Sequence, residues 1–253
     1  MGFTIGMPSM KLSNIQGKGG KHCGHFSSVA KEALQERLGK DVDIKKDETD
    51  KNLYLTADGF KCIADMTESE KVNTITSAKE LQEYSDNHIA ELNEYRAANN
   101  IDGGKKIRSD AVVMCACICK IPEAFMKNLS HNEQIKICKD CVDIVASIVG
   151  KENIKAAVIH DDELVPHPHI FWEPMTKGKT KKGIPYFKLC AKEVHNLKYL
   201  GRLNREIPEQ LRAKGWEQID NCKAYDEIEE QKKREEMGEE AYREYRKEKR
   251  ANR

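Results

Sequence analysis

The chain has 253 residues, 39% apolar and 34% charged, with 43 Lys+Arg against 42 Asp+Glu and a formal net charge of +1. That composition describes one large wet-surfaced domain, or a domain with an appendage, and excludes a membrane span, because no run is long and apolar enough. Charge this close to zero says nothing for nucleic acid by itself; only its distribution can.

The N-terminus, Met1-Gly-Phe-Thr-Ile-Gly6, has no basic segment followed by an apolar stretch, so no signal peptide is expected. Nine cysteines without a paired framework read as free thiols in a reducing cytoplasm. Phe3 to Leu12 reads as a first strand, followed by a Lys/Gly turn over Gly17–Gly20 that delivers Lys21-His22-Cys23-Gly24-His25. Ser27 or Ser28 can cap a helix through Ala30, Leu34 and Leu38 that stops at Gly39. After a polar loop over Asp41–Asp50, Asn52 to Leu55 is a short apolar element. Glu68 to Ala98 reads as one helix with an apolar line at Leu81, Tyr84, His88, Leu92 and Tyr95.

Asn99 to Arg108 is a turn with a basic end. Ala111 to Ile121 is a strand on which Cys115, Cys117 and Cys119 share one face as small core residues. Ser130-His-Asn-Glu133 is a capping box, and behind it Ile135, Cys138, Val142, Val145 and Val149 make a helical stripe ending at Gly150. Cys138 and Cys141 form a CxxC without a second pair, which argues against a zinc site. Thr176 to Gly183 reads as a basic loop, and Tyr186 to Leu189 resumes the sheet. A helix marked by Leu197, Leu200, Asn204, Ile207 and Leu211 should be kinked or split at Pro208. From Tyr225 on, Glu, Lys and Arg dominate. The division is a domain over 1–220 and a charged helical tail over 221–253. The order of elements predicts an α+β fold, a central antiparallel sheet with helices packed on one face.

Between the third helix and the basic loop lies His160-Asp-Asp-Glu-Leu-Val-Pro-His-Pro-His169, three imidazoles and a Glu within ten residues. Its flanks, Lys155–Ile159 and Ile170–Glu173, are short and apolar without a helical period, so they read as antiparallel strands. His167 and His169 are two apart and share a face, and His160 can close on it across the hairpin. Three nitrogen donors with open positions suit a catalytic divalent metal better than a closed structural site. Pro168 cannot donate to a ladder, so its strand should be irregular there or turn that position outward. Trp172 reads as core rather than as a base-stacking platform.

The pattern His160-x-Asp162-Glu163-x-x-Pro166-His167-x-His169 resembles the signature motif of the MobV-type (Mob/Pre) plasmid mobilisation relaxases, a group of His-hydrophobic-His endonucleases. The likeness covers roughly residues 1–220 and is strongest over 108–174. It implies site- and strand-specific nicking and rejoining of single-stranded or supercoiled plasmid DNA at a transfer origin. His160, His167 and His169 would hold the divalent ion, Mn²⁺ first, with Mg²⁺ or Zn²⁺ as the others. His22 matches the family's nucleophile, Glu163 would set its reactivity, and Asp162 would orient a ligand imidazole from behind. The family's first motif usually reads His-Asn-x-Arg. Here His25 stands at the Arg position, so His25 and a tyrosine such as Tyr54 are rival nucleophiles. Lys21, His25, Arg108, Lys177, Lys179, Lys181 and Lys182 are the DNA contacts expected to frame one site. Dimerisation through residues beyond the domain is open. Two other readings remain: a DNA-binding or replication-control protein with a degenerate site, and a cupin-like metalloenzyme on His167-x-His169-x-x-x-Glu173. Long helices count against a cupin barrel.

Overall fold

The structure, a computed structural model, describes residues 4–6, 9–11, 34, 46–109, 111–180, 183, 185–194, 197–217, 219, 237–238, 241–242 and 245. Among these, one antiparallel sheet has the order β1-β5-β7-β6-β3-β4, with β2 also on β5. The strands are β1 (Thr4–Gly6), β2 (Ser9–Lys11), β3 (Leu53–Thr56), β4 (Gly59–Lys61), β5 (Val112–Lys120), β6 (Ile154–His160) and β7 (His167–Trp172). The expected first strand is thus two short strands on the same edge of β5. β8 (Met175–Lys179) and β9 (Pro185–Leu189) form a separate two-stranded ribbon. Tyr186 to Leu189 therefore do not resume the main sheet, and Lys177 and Lys179 lie on a strand rather than in a loop.

Alternation along the strands divides the core. Cys115, Cys117, Cys119, Ala157, Ile159, Ile170 and Trp172 form one buried cluster with the inner faces of α4 (His131–Val149) and α6 (Leu197–Ala213). Their sequence neighbours Met114, Ala116, Ala156, Val158 and Phe171 form a second, with Ala78, Leu81 and Ile89 of α2 (Ala78–Ala98). Period-2 alternation puts these sets on opposite faces, so helices cover both faces of the sheet, not one. Trp172 is fully buried in the first cluster.

The single helix expected over Glu68–Ala98 is two, α1 (Glu68–Asn73) and α2. Each starts on its own capping box, Thr67 with Glu70 and Ser77 with Glu80. The β-branched run Thr74-Ile75-Thr76 separates them, where χ1 crowding disfavours helix. The buried line of α2 is Leu81, Ser85 and Ile89, and Tyr95 stays exposed. A short helix, α3 (Glu123–Met126), precedes α4. At the start of α4 the Glu133 carboxylate accepts from the Ser130 amide at 2.8 Å and hydroxyl at 2.6 Å, as the capping box predicts. A short α5 (Ala191–Val194) follows the ribbon. α6 runs through Pro208 as one element, so the predicted split does not occur. Its core line is Leu203, Ile207 and Leu211. Among the described residues no helix is long and apolar enough to cross a membrane. The helix expected after Ser27, apart from a buried Leu34, and most of the tail over 221–253 lie outside the described residues.

Candidate metal centre and active site

β6 and β7 are in register with His160 opposite His167 and Val158 opposite His169. The register with β6 continues through Pro168 opposite Ile159, whereas the β5 ladder onto β7 begins one residue later, at His169 opposite Ile118. Pro168 is therefore accommodated in a regular strand, at the end of a ladder. The connection 161–166 is tied down on both sides. The Asp161 amide donates to Asn52 Oδ1 at 2.8 Å, and the Cys138 thiol reaches the Pro166 carbonyl at 3.5 Å.

The three imidazoles converge. One ligand-capable atom from each of His160, His167 and His169 lies within 4.8 Å of the others. The His160 and His169 rings stack at 4.3 Å, and His167 lies 5.2 Å from the first and 5.1 Å from the second. The three residues are almost closed off from solvent, with exposures of 1%, 9% and 6% in chain order.

Two second contacts fix how the rings present themselves. His160 Nδ1 lies 3.0 Å from Glu163 Oε1, and His167 Nδ1 lies 3.0 Å from the Val165 carbonyl oxygen. A carbonyl oxygen or an ionised carboxylate only accepts, so both Nδ1 atoms carry the proton and both Nε2 atoms offer a lone pair. Burial, and then the His160 and His167 rings, push His169 well below the ordinary histidine value. Burial pushes His167 down as well, outweighing the Val165 contact. Burial alone would raise the Glu163 carboxyl, but the His160 hydrogen bond and the charges of His167 and His160 bring it below its usual value. The result is two imidazoles, His167 and His169, biased towards the neutral form beside the Glu163 carboxylate. This donor set fits a divalent cation: three borderline nitrogen donors, two of them with Nδ1 held on an acceptor.

Glu163 is expected to act on a nucleophile; its hydrogen bond is to the His160 ring. Asp162, in the connection between β6 and β7, is fully buried. Burial raises the Tyr54 hydroxyl, and the charges of Asp162 and Glu80 raise it further, so Tyr54, itself 5% exposed, is poorly suited to attack. Lys21, His22, His25, Lys181 and Lys182 lie outside the described residues.

The remaining predicted contacts do not join the cluster. β7 separates its two ends by about 17–20 Å, and Lys177 and Lys179 follow its far end. Arg108 precedes β5 at that same far end and lines a cleft of about 220 Å³ with Lys106, Tyr186 and Phe187. The basic residue that does sit at the imidazoles is Lys120, which sequence reasoning missed. It lines a cleft of about 170 Å³ with Glu163, Leu164, Val165 and His167. A signal existed: if odd-numbered cysteines of β5 face the core, Lys120 falls on the other face at the strand's end. Glu173, the carboxylate of the cupin-like pattern, is buried, with Oε1 2.6 Å from His88 Nδ1 and Oε2 3.3 Å from Lys155 Nζ. It pins α2 to the sheet, which removes the cupin-type ligand role for that carboxylate.

A family model described as plasmid recombination enzyme (Mob_Pre) matches residues 63–250. The chain belongs to the Mob/Pre plasmid recombination enzyme family. The match begins after the segment carrying His22, so it adds nothing to that assignment. A type 2 plasmid recombination enzyme of Staphylococcus aureus is 30% identical over 115 residues, covering 46% of this chain and 25% of the relative. A type 1 enzyme of the same species is 33% identical over 119 residues, covering 47% and 28%. One from Lactiplantibacillus plantarum is 30% identical over 128 residues, covering 51% and 32%. These alignments span about a quarter to a third of the length of those relatives. Among solved structures, the Mn-bound MobM relaxase domain on plasmid pMV158 oriT DNA superposes with a TM-score of 0.56 at 19% identity, over 85% of this chain and 87% of that one. A second Mn-bound form, at pH 4.6, gives 0.54 at 20% identity, covering 85% and 88%. At that identity the likeness establishes the fold, an α+β relaxase fold.

Proposed function

We propose that this chain is a metal-dependent DNA relaxase that nicks one strand at a plasmid transfer origin and can rejoin it. The observation that carries the reading is the convergence of His160, His167 and His169 on facing strand ends, two with Nδ1 held by an acceptor. Membership of the Mob/Pre family, and similarity to a relaxase domain crystallised with manganese and oriT DNA, support it. A divalent ion on the three imidazoles, manganese before magnesium or zinc, would neutralise the scissile phosphate and stabilise the charge that develops there. Glu163 keeps the proton on His160 Nδ1, and the Val165 carbonyl does the same for His167. Lys120 supplies a cation beside the cleft for a phosphate oxygen.

His22 is the nucleophile in this reading. Its unprotonated ring nitrogen attacks phosphorus, the P–N bond forms as the P–O3′ bond breaks, and the departing oxygen takes up a proton. The 5′-phosphate stays on the protein, and reversal by the 3′-hydroxyl reseals the strand without ATP. Asp162 orients the cluster from behind, Lys21 and His25 flank the attack, and Arg108, Lys177, Lys179, Lys181 and Lys182 hold the strand elsewhere. The partner is single-stranded or supercoiled plasmid DNA in the cytoplasm, with residues outside the domain free to dimerise.

The test is incubation with supercoiled plasmid carrying the cognate origin, with Mn²⁺ or EDTA, followed by analysis of protein bound to the cut strand. Metal-dependent nicked circles and an acid-labile protein–DNA bond are expected. Binding without any nick in any divalent metal would instead support the degenerate-site reading, which His25 at the usual Arg position favours.

A further inference from the structure

The β8–β9 ribbon has one face turned to solvent and one turned to the protein. Cross-strand pairing sets Lys177 opposite Phe187 and Lys179 opposite Pro185, and all four are exposed. The alternate residues Thr176, Gly178, Tyr186 and Lys188 are partly covered. On that inner face the Tyr186 ring lies over Gly178 so closely that a Cβ there would sit 2.9 Å from it. Lys188 pairs with Glu193 at 2.7 Å. The inner face is thus occupied and holds the ribbon in place.

The outer face is different. Phe187 is 54% exposed and belongs to neither core cluster. Among the described residues, Lys177 and Lys179 make no ion pair, and no cation sits over the Phe187 ring. The lysines that cap rings are Lys136 on Trp216 and Lys155 on Tyr84. A large aromatic held out of the core, with one lysine across from it and another on the diagonal, offers a flat apolar platform with cations at its edge. Along the β9 edge the adjacent cleft adds Lys106 and Arg108.

We infer that Phe187 stacks an unpaired nucleobase of a single DNA strand while Lys177 and Lys179 hold its phosphates, at a site one strand-length away from the imidazole cluster. The inference rests on the DNA-acting function proposed above. The chemistry favours a single strand, because a ring face can stack only on a base whose own face is free, whereas a duplex offers this ribbon only groove edges and phosphates.

The experiment uses the full chain and two probes: an oligothymidylate single strand carrying one 2-aminopurine, and a hairpin duplex of matched charge. Phe187→Ala should weaken single-strand binding by about 5- to 100-fold, and Phe187→Tyr should not. Quenching of 2-aminopurine should be lost with Phe187→Ala while the salt slope stays. Lys177→Gln with Lys179→Gln should instead flatten the slope by about 0.7 per lost contact. Thermal unfolding of each variant checks the fold. Unchanged single-strand affinity in Phe187→Ala, or an equal loss on the duplex, overturns the inference. Plasmid nicking by the unaltered chain is scored in parallel. If it nicks and Phe187→Ala binds normally, only this inference fails; absence of nicking tells against the relaxase reading instead.

Discussion

At the scale of single residues the cluster makes strong claims. His169 has its ring stacked on His160 and is almost fully buried, so His169→Ala should abolish manganese uptake and nicking together. Metal stoichiometry by calorimetry checks this, and full stoichiometry in the variant would refute the ligand set. Glu163 has a sharper role than its position in the motif implied. Its carboxylate reaches His160 Nδ1 at 3.0 Å but stays 3.8 Å from His167 Nε2, beyond hydrogen-bond distance. Glu163→Ala should therefore weaken divalent metal affinity by about 10–100-fold, rather than slow nicking with metal binding intact. Titration with manganese distinguishes the two. For the nucleophile, peptide mapping of the trapped adduct is decisive: a phosphoramidate at His22 is expected. An adduct that persists in His22→Ala through His25 would displace His22 and leave the metal site standing.

At the scale of elements, α4 and the end of α6 are joined by Asp140. Its Oδ2 accepts from Trp216 Nε1 at 2.8 Å and from Lys136 at 3.0 Å, and its Oδ1 accepts from Lys214 at 3.0 Å. Lys136 also lies 4.8 Å over the Trp216 ring. Gly215, at φ +97°, makes the turn that brings Trp216 back, a backbone conformation only glycine adopts cheaply. Burial alone would raise the Asp140 carboxyl, but the Trp216, Lys214 and Lys136 hydrogen bonds outweigh it and hold it below its usual value. A depressed folded pKa means the stabilisation is complete above the unfolded value, 3.8, and is lost as pH falls through the lower folded value. Asp140→Ala should cost about 2–3 kcal/mol at neutral pH, mostly by stranding the indole N–H. It should also lose the acid-dependent part of the melting curve. Thermal midpoints at neutral pH and near pH 3 test both; equal acid sensitivity in the two proteins would contradict the assignment.

At the scale of the whole molecule, the basic residues divide between two ends of one sheet. Lys120 is at the imidazole end; Arg108, Lys177 and Lys179 are at the other, with β7 between. Contacts that strengthen as charge develops at the scissile phosphate raise the saturated rate, whereas contacts equally strong before and during reaction raise affinity alone. Lys120→Gln should thus lower the single-turnover nicking rate at saturating DNA by about 10-fold or more, with affinity nearly unchanged. Lys177→Gln with Lys179→Gln should lower affinity and leave the saturated rate alone. A reversed pattern would show that the DNA runs otherwise across the protein.

The sequence by itself determined what is local. Three histidines in ten residues share a face because strand period is two and a hairpin closes on itself, so the histidine cluster was legible without a fold. The capping box at Ser130 and the inward cysteines of β5 were legible for the same reason, since each depends on neighbours a few residues away. A second capping box at Ser77 was equally present, but the long apolar period masked it, and two helices read as one. Only the tertiary structure decided what depends on distant pairings. Nothing in the order of elements says that β5 pairs β7 so that Lys120 meets His167 while Arg108 meets the ribbon. Nor does it say that β8 and β9 leave the main sheet, or that α2 covers the face opposite α4 and α6. These follow from register and chain reversal between segments tens of residues apart, where hydrophobic pattern gives the buried face but not the neighbour.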